Sequence, residues 1–334
     1  MAKHSQGPRP PAQNRTDSRP LDDAEIVSGR WLVTAILAVL ALAGIALYLS
    51  FCLLLYQGQW QLTFFPPKGK SPSAASMAAA SGLPIASVSF DTTEEGANQL
   101  NGWWIPATPA TPATTSQPQS SADSNKLAPM VLLYCPNGRT DLPGNIDSLQ
   151  AFHALGISVF AFDYRGFGAS QHGHPSQKKA YADGIAALHY LTGIRRLDPT
   201  HIVVYGAGLG AAVAATVARQ SPKIAGIILE NPQPSLTRQV KREQHIHLLP
   251  MGLLFQDSFD ISRTMPQLNM PKLILFTSAL PEYAPGAAEI YAKSPAPRQK
   301  VQLHPGPGVP PYTLPEWSEA VRSFLNTLTA RTAQ

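Results

Sequence analysis

Between Trp31 and Tyr56 the chain carries no charged residue, and only Thr34, Gly44 and Ser50 interrupt the apolar run WLVTAILAVLALAGIALYLSFCLLLY. About 20 apolar residues suffice to cross the hydrocarbon of a bilayer, so the pattern predicts one transmembrane helix over 31–56. Trp31, Tyr56 and Trp60 stand where interfacial aromatics are expected. A cleaved signal peptide has a shorter apolar core followed closely by small residues, whereas Gln57, Gly58, Gln59 and Trp60 follow here, which points to an uncleaved anchor.

Downstream the period changes. IASVSF (Ile85 to Phe90) and NGWWIP (Asn101 to Pro106) read as strands around a turn at Glu94 to Ala97, a β-hairpin that opens the domain. Then come MVLLY (Met130 to Tyr134), SVFAF (Ser158 to Phe162), HIVVY (His201 to Tyr205), IAGIIL (Ile224 to Leu229), KLILF (Lys272 to Phe276) and KVQLH (Lys300 to His304), each short and rich in β-branched or aromatic residues. Helical patterns separate them at Ile146 to Leu155, Gln177 to Leu191, Leu209 to Gln220, Ala287 to Ala292 and Leu314 to Leu328. Alternation at this spacing predicts an α/β fold, a mostly parallel sheet with helices on both faces. The continuously apolar strands agree, because strands covered on both faces need no polar side.

The ends and connections are polar. Residues 1–30 have no apolar period and are expected to be a disordered tail. Ser71 to Gly82 reads as a Ser/Ala-rich linker, Ala107 to Asn125 as a low-complexity Pro/Thr/Ser loop, and Gln239 to Met270 as a short lid over the strand ends. The expected organisation is therefore a tail (1–30), a membrane helix (31–56) and one domain (57–334).

Charge refines this picture. The formal net charge is +5 in 334 residues, but Lys and Arg are scattered and no basic run interleaves with aromatics, so nucleic acid is not an expected partner. Lys3, Arg9, Arg15, Arg19 and Arg30 precede the span while Lys68 and Lys70 follow it, a bias that puts the N-terminus in the cytoplasm and the domain on the outer side. Cys52 lies in the apolar run and Cys135 far from it, so they do not staple one domain. His172 and His174, like His245 and His247, have spacing that could serve a metal, but no third ligand accompanies either pair. No metal or cofactor is expected.

Chemistry in an open parallel sheet gathers beyond the carboxyl ends of the strands, which directs attention to HIVVYGAGLGAAVAA. Gly206, Gly208 and Ala211 match a dinucleotide fingerprint, with Glu230 near the place of a ribose-binding acid. Gly206 and Gly210 equally frame a nucleophile elbow, G-x-S-x-G, in which Gly208 takes the place of the serine. The neighbouring text favours the elbow. LLYCPNG, FDYRGFGAS, YADGIAALHYL, the elbow and IILENPQPS, with LTFFPP and NGWWIP upstream, resemble in order and spacing the membrane-anchored abhydrolase-domain branch of the α/β-hydrolases, a group with serine-aminopeptidase-like members.

That resemblance implies the α/β-hydrolase fold and a serine, acid and histidine machine, and the chain departs from it at each working position. Gly208 stands at the nucleophile, Leu280 (in FTSALPEY) at the acid and Val309 (in PGPGV) at the histidine, while the oxyanion loop reads Cys135, Pro136, Asn137, where proline has no N–H to donate. Asp163, Arg165, Asp183 and Glu230 match family positions that brace the elbow. The expectation is a pseudoenzyme of the hydrolase family that binds a hydrophobic small molecule or a protein partner in the former cleft. Gly208 together with apolar Leu280 and Val309 predicts a stable, drier pocket than the family's. The alternatives are a hydrolase with relocated residues, using Cys135 or Ser278 with His304 and Glu282, and nucleotide binding at Gly206 to Gly210.

Overall fold

The computed structural model describes residues 28–92, 99–107, 130–236, 257–278 and 284–332. It divides into two compact units, Met1–Phe51 and Cys52–Gln334. The first contains most of helix α1 (Gly29–Thr63), whose apolar side chains are open to the surroundings, Leu42 at 66% and Leu47 at 74% exposure. Residues Gly29–Gln61 are long and apolar enough to cross a membrane, as an anchor or a signal sequence. The helix runs past the predicted end at Tyr56, because Gln57 and Gln59 are polar yet good helix formers. It stops before Pro66 and Pro67, which cannot continue it.

The second unit is built on one eight-stranded sheet. A short helix α2 (Ala74–Ser81) precedes strands β1 (Ala86–Asp91), β2 (Gln99–Ile105) and β3 (Val131–Cys135). Then follow α3 (Ile146–His153), β4 (Ser158–Phe162), α4 (Gln177–His189), β5 (Ile202–Ala207) and α5 (Leu209–Gln220). Strand β6 (Gly226–Glu230), β7 (Lys272–Thr277), α6 (Ala284–Lys293), β8 (Arg298–Leu303) and α7 (Pro315–Thr332) complete the chain. The spatial order is β1-β2-β4-β3-β5-β6-β7-β8. The β1–β2 hairpin is antiparallel, β2 pairs antiparallel with β4, and every later pairing is parallel.

Two cores lie on the two faces of this sheet. Helices α4, α5 and α6 cover one with Leu188, Val213, Val217 and Ile290, and α3 and α7 cover the other with Phe152, Trp317 and Phe324. On the second face Tyr134 and Tyr205, paired in register between β3 and β5, place their rings 4.9 Å apart beneath Phe152. Phe64, just beyond α1, is 1% exposed and packs edge-on against Tyr164, Phe167 and Phe259.

The segment expected to be a linker is in part helical. Ser73 caps α2 by accepting from the Ser76 amide, and Gly82 ends it in the left-handed conformation, so both termini are satisfied within a stretch whose composition suggested none. The turn at 94–97, most of the tail and of the low-complexity loop, and residues 239–256 of the expected lid lie outside the described residues.

Candidate functional site

The turn from β5 into α5 is where sequence and geometry meet most tightly. A Cβ on Gly206 would stand 2.1 Å from the Gly210 oxygen, and one on Gly210 would stand 2.3 Å from the Cys135 oxygen, so no side chain fits at either position. These two contacts let the first turn of α5 sit against the ends of β5 and β3. Between them Gly208 has φ 54° and ψ −116°, backbone that a residue with a side chain adopts only under strain. Its N–H donates to the Glu230 carbonyl at 2.9 Å, which pins the turn to the end of β6. A Cβ on Gly208 would meet nothing within 4 Å.

That empty space belongs to a cavity of about 480 Å³ at the carboxyl ends of the strands. The elbow supplies Ala207, Gly208 and Leu209, and the loop after β8 supplies Pro305, Gly308 and Val309. Thr63 and Phe65 close it where the chain leaves α1, and Leu236 and Phe259 form an apolar wall from the segment after β6. The lining is mixed, because Asn137, Arg139, Asn231, Gln233 and Thr277 also contribute to it. The apolar replacements concern two positions, whereas the ends of β3, β6 and β7 all contribute polar side chains.

Comparison with known proteins identifies this architecture. Residues 139–280 match the family model described as serine aminopeptidase, S33. An uncharacterized protein of Mycobacterium tuberculosis is 31% identical over 243 residues, 73% of this chain and 75% of its own length. The chain belongs to the α/β-hydrolase superfamily. Shorter likenesses within it include the α/β-hydrolase domain-containing protein WAV2 of Arabidopsis thaliana, 45% identical over 78 residues, 23% of this chain and 25% of that one. The fold is that of an esterase from Pyrococcus furiosus, with a TM-score of 0.56 at 17% identity over 80% of this chain and 98% of that one.

The hydrolase scaffold brings Gly208, Val309 and Asn137 onto one cavity; Leu280 and Glu282 lie outside the described residues. The residues expected to brace the elbow are buried, and each is held by hydrogen bonds. Arg165 Nε donates to Asp183 Oδ1 at 2.6 Å and the Arg165 amide to Asp183 Oδ2 at 2.9 Å. Asp163 accepts from the Leu142 amide at 2.8 Å and from Asn101 Nδ2 at 3.3 Å, yet burial outweighs these bonds and raises its carboxyl to about 7. Glu230 Oε2 accepts from Trp317 Nε1 at 3.0 Å and from the Tyr205 hydroxyl at 3.2 Å. Burial raises its carboxyl above the ordinary carboxylate range, against the pull of both bonds.

Other sequence candidates sit in quieter places. Cys135 is fully buried and burial pushes its thiol well up, the opposite of what a nucleophilic thiolate needs. His304 follows β8 and is exposed; its amide and ring both meet the Glu316 carboxylate, and no hydrogen bond joins it to Ser278 among the described residues. His174 packs against Trp60 with ring centroids 4.6 Å apart and the planes tilted by 32°. Among the described residues no group of three or more His, Cys, Asp or Glu could hold a metal ion, and His245 and His247 lie outside them.

The sequence reading missed Gln233 and Thr277. Both line the cavity, and Gln233 Nε2 and Thr277 Oγ1 are buried without a hydrogen-bond partner among the described residues. Their signal was their position, polar residues just past β6 and at the end of β7.

Proposed function

We propose that this chain is a non-catalytic α/β-hydrolase whose cleft at Gly208 holds a small amphiphilic molecule. The observation that carries the reading is Gly208 itself. It keeps the elbow's strained backbone but presents no nucleophile, and its missing side chain leaves open space on the floor of a 480 Å³ cavity. Val309, at the position the family gives to histidine, lines the same cavity, and Leu280 takes the acid position in the sequence. Loss of a serine nucleophile alone costs on the order of a million-fold in rate, so three such replacements leave little for triad chemistry to work with. The cavity volume falls in the range of small-molecule sites.

On this reading residues 31–56 are an uncleaved anchor, the tail lies in the cytoplasm and the domain from residue 57 stands on the outer side. The basic residues before the span and the exposed apolar surface of α1 support it. The nucleotide alternative draws less support. Glu230 Oε2 already accepts from Tyr205 and Trp317, and Gly208 gives its amide to the Glu230 carbonyl, so that amide is not free for a pyrophosphate. Relocated catalysis would need a nucleophile beside a base, and the environments of Cys135 and His304 supply neither.

The test uses the purified full chain. It should neither label with a serine-directed fluorophosphonate nor cleave short acyl esters above a buffer control, and it should bind an eight-carbon alcohol in a manner that Val309→Trp, which fills the cavity from its exposed rim, abolishes. Stoichiometric labelling that survives replacement of surface serines would overturn the reading.

A further inference from the structure

Past Tyr56, the large apolar side chains exposed among the described residues are Phe65 at 45%, Ile194 at 75% and Val309 at 41%. Phe65 and Val309 line the same cavity, one where the chain leaves α1 and the other in the loop after β8. Each stands beside prolines: Pro66 and Pro67 follow Phe65, and Pro307 and Pro310 flank Gly308 and Val309 in a stretch, 305–312, that carries no charge. Proline has no N–H to lose water. The Phe65 amide already donates to the Gly138 carbonyl at 2.9 Å, and the Val309 amide to the Gly306 carbonyl at 3.1 Å. Few backbone donors are therefore left to desolvate when this rim enters an apolar medium.

Cations border the same edge. Arg139 lines the cavity with its guanidinium 4.9 Å from the Phe65 ring centroid, and Arg139, Lys68 and Lys70 are all exposed. The carboxylate on the described lining, Glu230, is buried, and burial favours its uncharged form. An exposed apolar edge beside Lys and Arg fits a bilayer surface, where apolar side chains enter the acyl boundary and cations meet phosphates. The chain brings that surface within reach. From Tyr56, at the end of the apolar run, to Thr63, on the cavity wall, α1 rises about 10 Å. The headgroup layer outside the hydrocarbon is of similar height, about 5–8 Å. We infer that the cavity rim at Phe65, Arg139 and Val309 docks on the lipid surface of the membrane, with Phe65 and Val309 beneath the headgroups and Arg139, Lys68 and Lys70 on their phosphates. Ile194, in the connection that leads into the start of β5, belongs to the opposite ends of the strands and stays in water. This interface uses the uncleaved anchor of the proposed function and needs no ligand in the cleft.

The test places a bimane label at Pro307→Cys, Val309→Cys or Ile194→Cys in the full chain, in nanodiscs of phosphatidylcholine and phosphatidylglycerol. Cys52 and Cys135 are buried, so the parent chain serves as the labelling blank. Intact mass reports the anchor separately: a membrane-derived chain that lacks residues 31–56 overturns the anchor reading, and the docking with it. With the anchor present, a nitroxide near the head of the lipid acyl chain should quench the Pro307→Cys and Val309→Cys labels about threefold or more above the Ile194→Cys label. Phe65→Ser, and separately Lys68→Gln with Lys70→Gln and Arg139→Gln, should cut quenching at Pro307→Cys about twofold and leave Ile194→Cys unchanged. A general loss of folding would instead bring the three positions together. Equal quenching at all three overturns the docking while the anchor stands. Strong quenching at the rim that neither set of substitutions alters overturns the assignment of Phe65 and the three cations as the lipid contact.

Discussion

Trp317 donates its indole N–H to Glu230 Oε2 at 3.0 Å, joining α7 to the end of β6 next to the cavity. Trp317 is 1% exposed and its ring meets Phe152 edge-on at 4.8 Å, so packing and hydrogen bonding act at the same residue. Trp317→Phe keeps an aromatic ring and removes the donor, leaving Glu230 with the Tyr205 hydroxyl alone on that oxygen. The expected cost is about 1–3 kcal/mol, read as a lower Tm in calorimetry of the full chain. An unchanged Tm would mean that packing alone holds α7.

Asp163 sets a pH dependence. Its carboxyl is raised from 3.8 to about 7, chiefly by burial, so between these values the folded chain binds more protons than the unfolded one. Stability from this group is therefore full below about 4 and is lost as pH rises toward 7. Asp163→Asn keeps an oxygen for the Leu142 amide and cannot ionise. Denaturant midpoints measured across this window should fall with pH in the parent and lie flatter in the variant. A parent profile with no such fall would contradict the buried-carboxyl account.

How much of this was legible follows from what each pattern encodes. Helix α5 and β4 have the bounds that the sequence suggests, because a fully buried segment carries an unbroken apolar pattern between Gly or turn residues. Helix α2 was missed, since alanine and serine read as linker when counted, although Ser73 and Gly82 are cap signals when read by position. At the site, Gly206 and Gly210 were visible as the frame of a motif, and Gly208 and Val309 as departures from it. Asn231, Gln233 and Thr277 belong to no motif, and they meet at one cavity only when β6 and β7 lie side by side.

The three elbow glycines should respond differently to alanine. At Gly206 and Gly210 the added carbon would lie 2.1 and 2.3 Å from backbone oxygens, which cannot yield as a flexible side chain could. Each substitution should cost about 4 kcal/mol or more, or prevent folding. At Gly208 the carbon meets open space and only backbone strain remains, about 1–3 kcal/mol. Denaturation of the three variants side by side checks the order; a Gly208→Ala variant as damaged as the others would place an unseen neighbour in the cavity.

Topology can be read by proteolysis. With the tail inside and the domain outside, protease added to intact spheroplasts should digest the C-terminal domain and spare an epitope fused to the N-terminus. The reverse pattern would invert the orientation drawn from the basic residues before Trp31, and release of the domain without the apolar segment would show cleavage as a signal sequence.

Restoring the family residues tests whether the cleft has merely lost a serine or has been rebuilt around another task. In Gly208→Ser, Leu280→Asp, Val309→His, the serine must adopt φ 54° and ψ −116°, a strain of about 1–3 kcal/mol that glycine avoids. The restored acid would add a charge that needs partners wherever it is shielded from water. Pro136 still offers no N–H in the oxyanion loop, and its carbonyl is already taken by the Tyr164 hydroxyl at 2.9 Å. The imidazole would enter from Val309, which is 41% exposed, and so would be solvated rather than held. These conditions together predict a variant with a lower Tm, ester hydrolysis within about tenfold of background, and loss of binding of the eight-carbon alcohol as the new side chains occupy the cavity. A triple variant as stable as the parent that turns over esters efficiently would show that the hydrolytic frame is intact and that the cleft has lost only its working side chains.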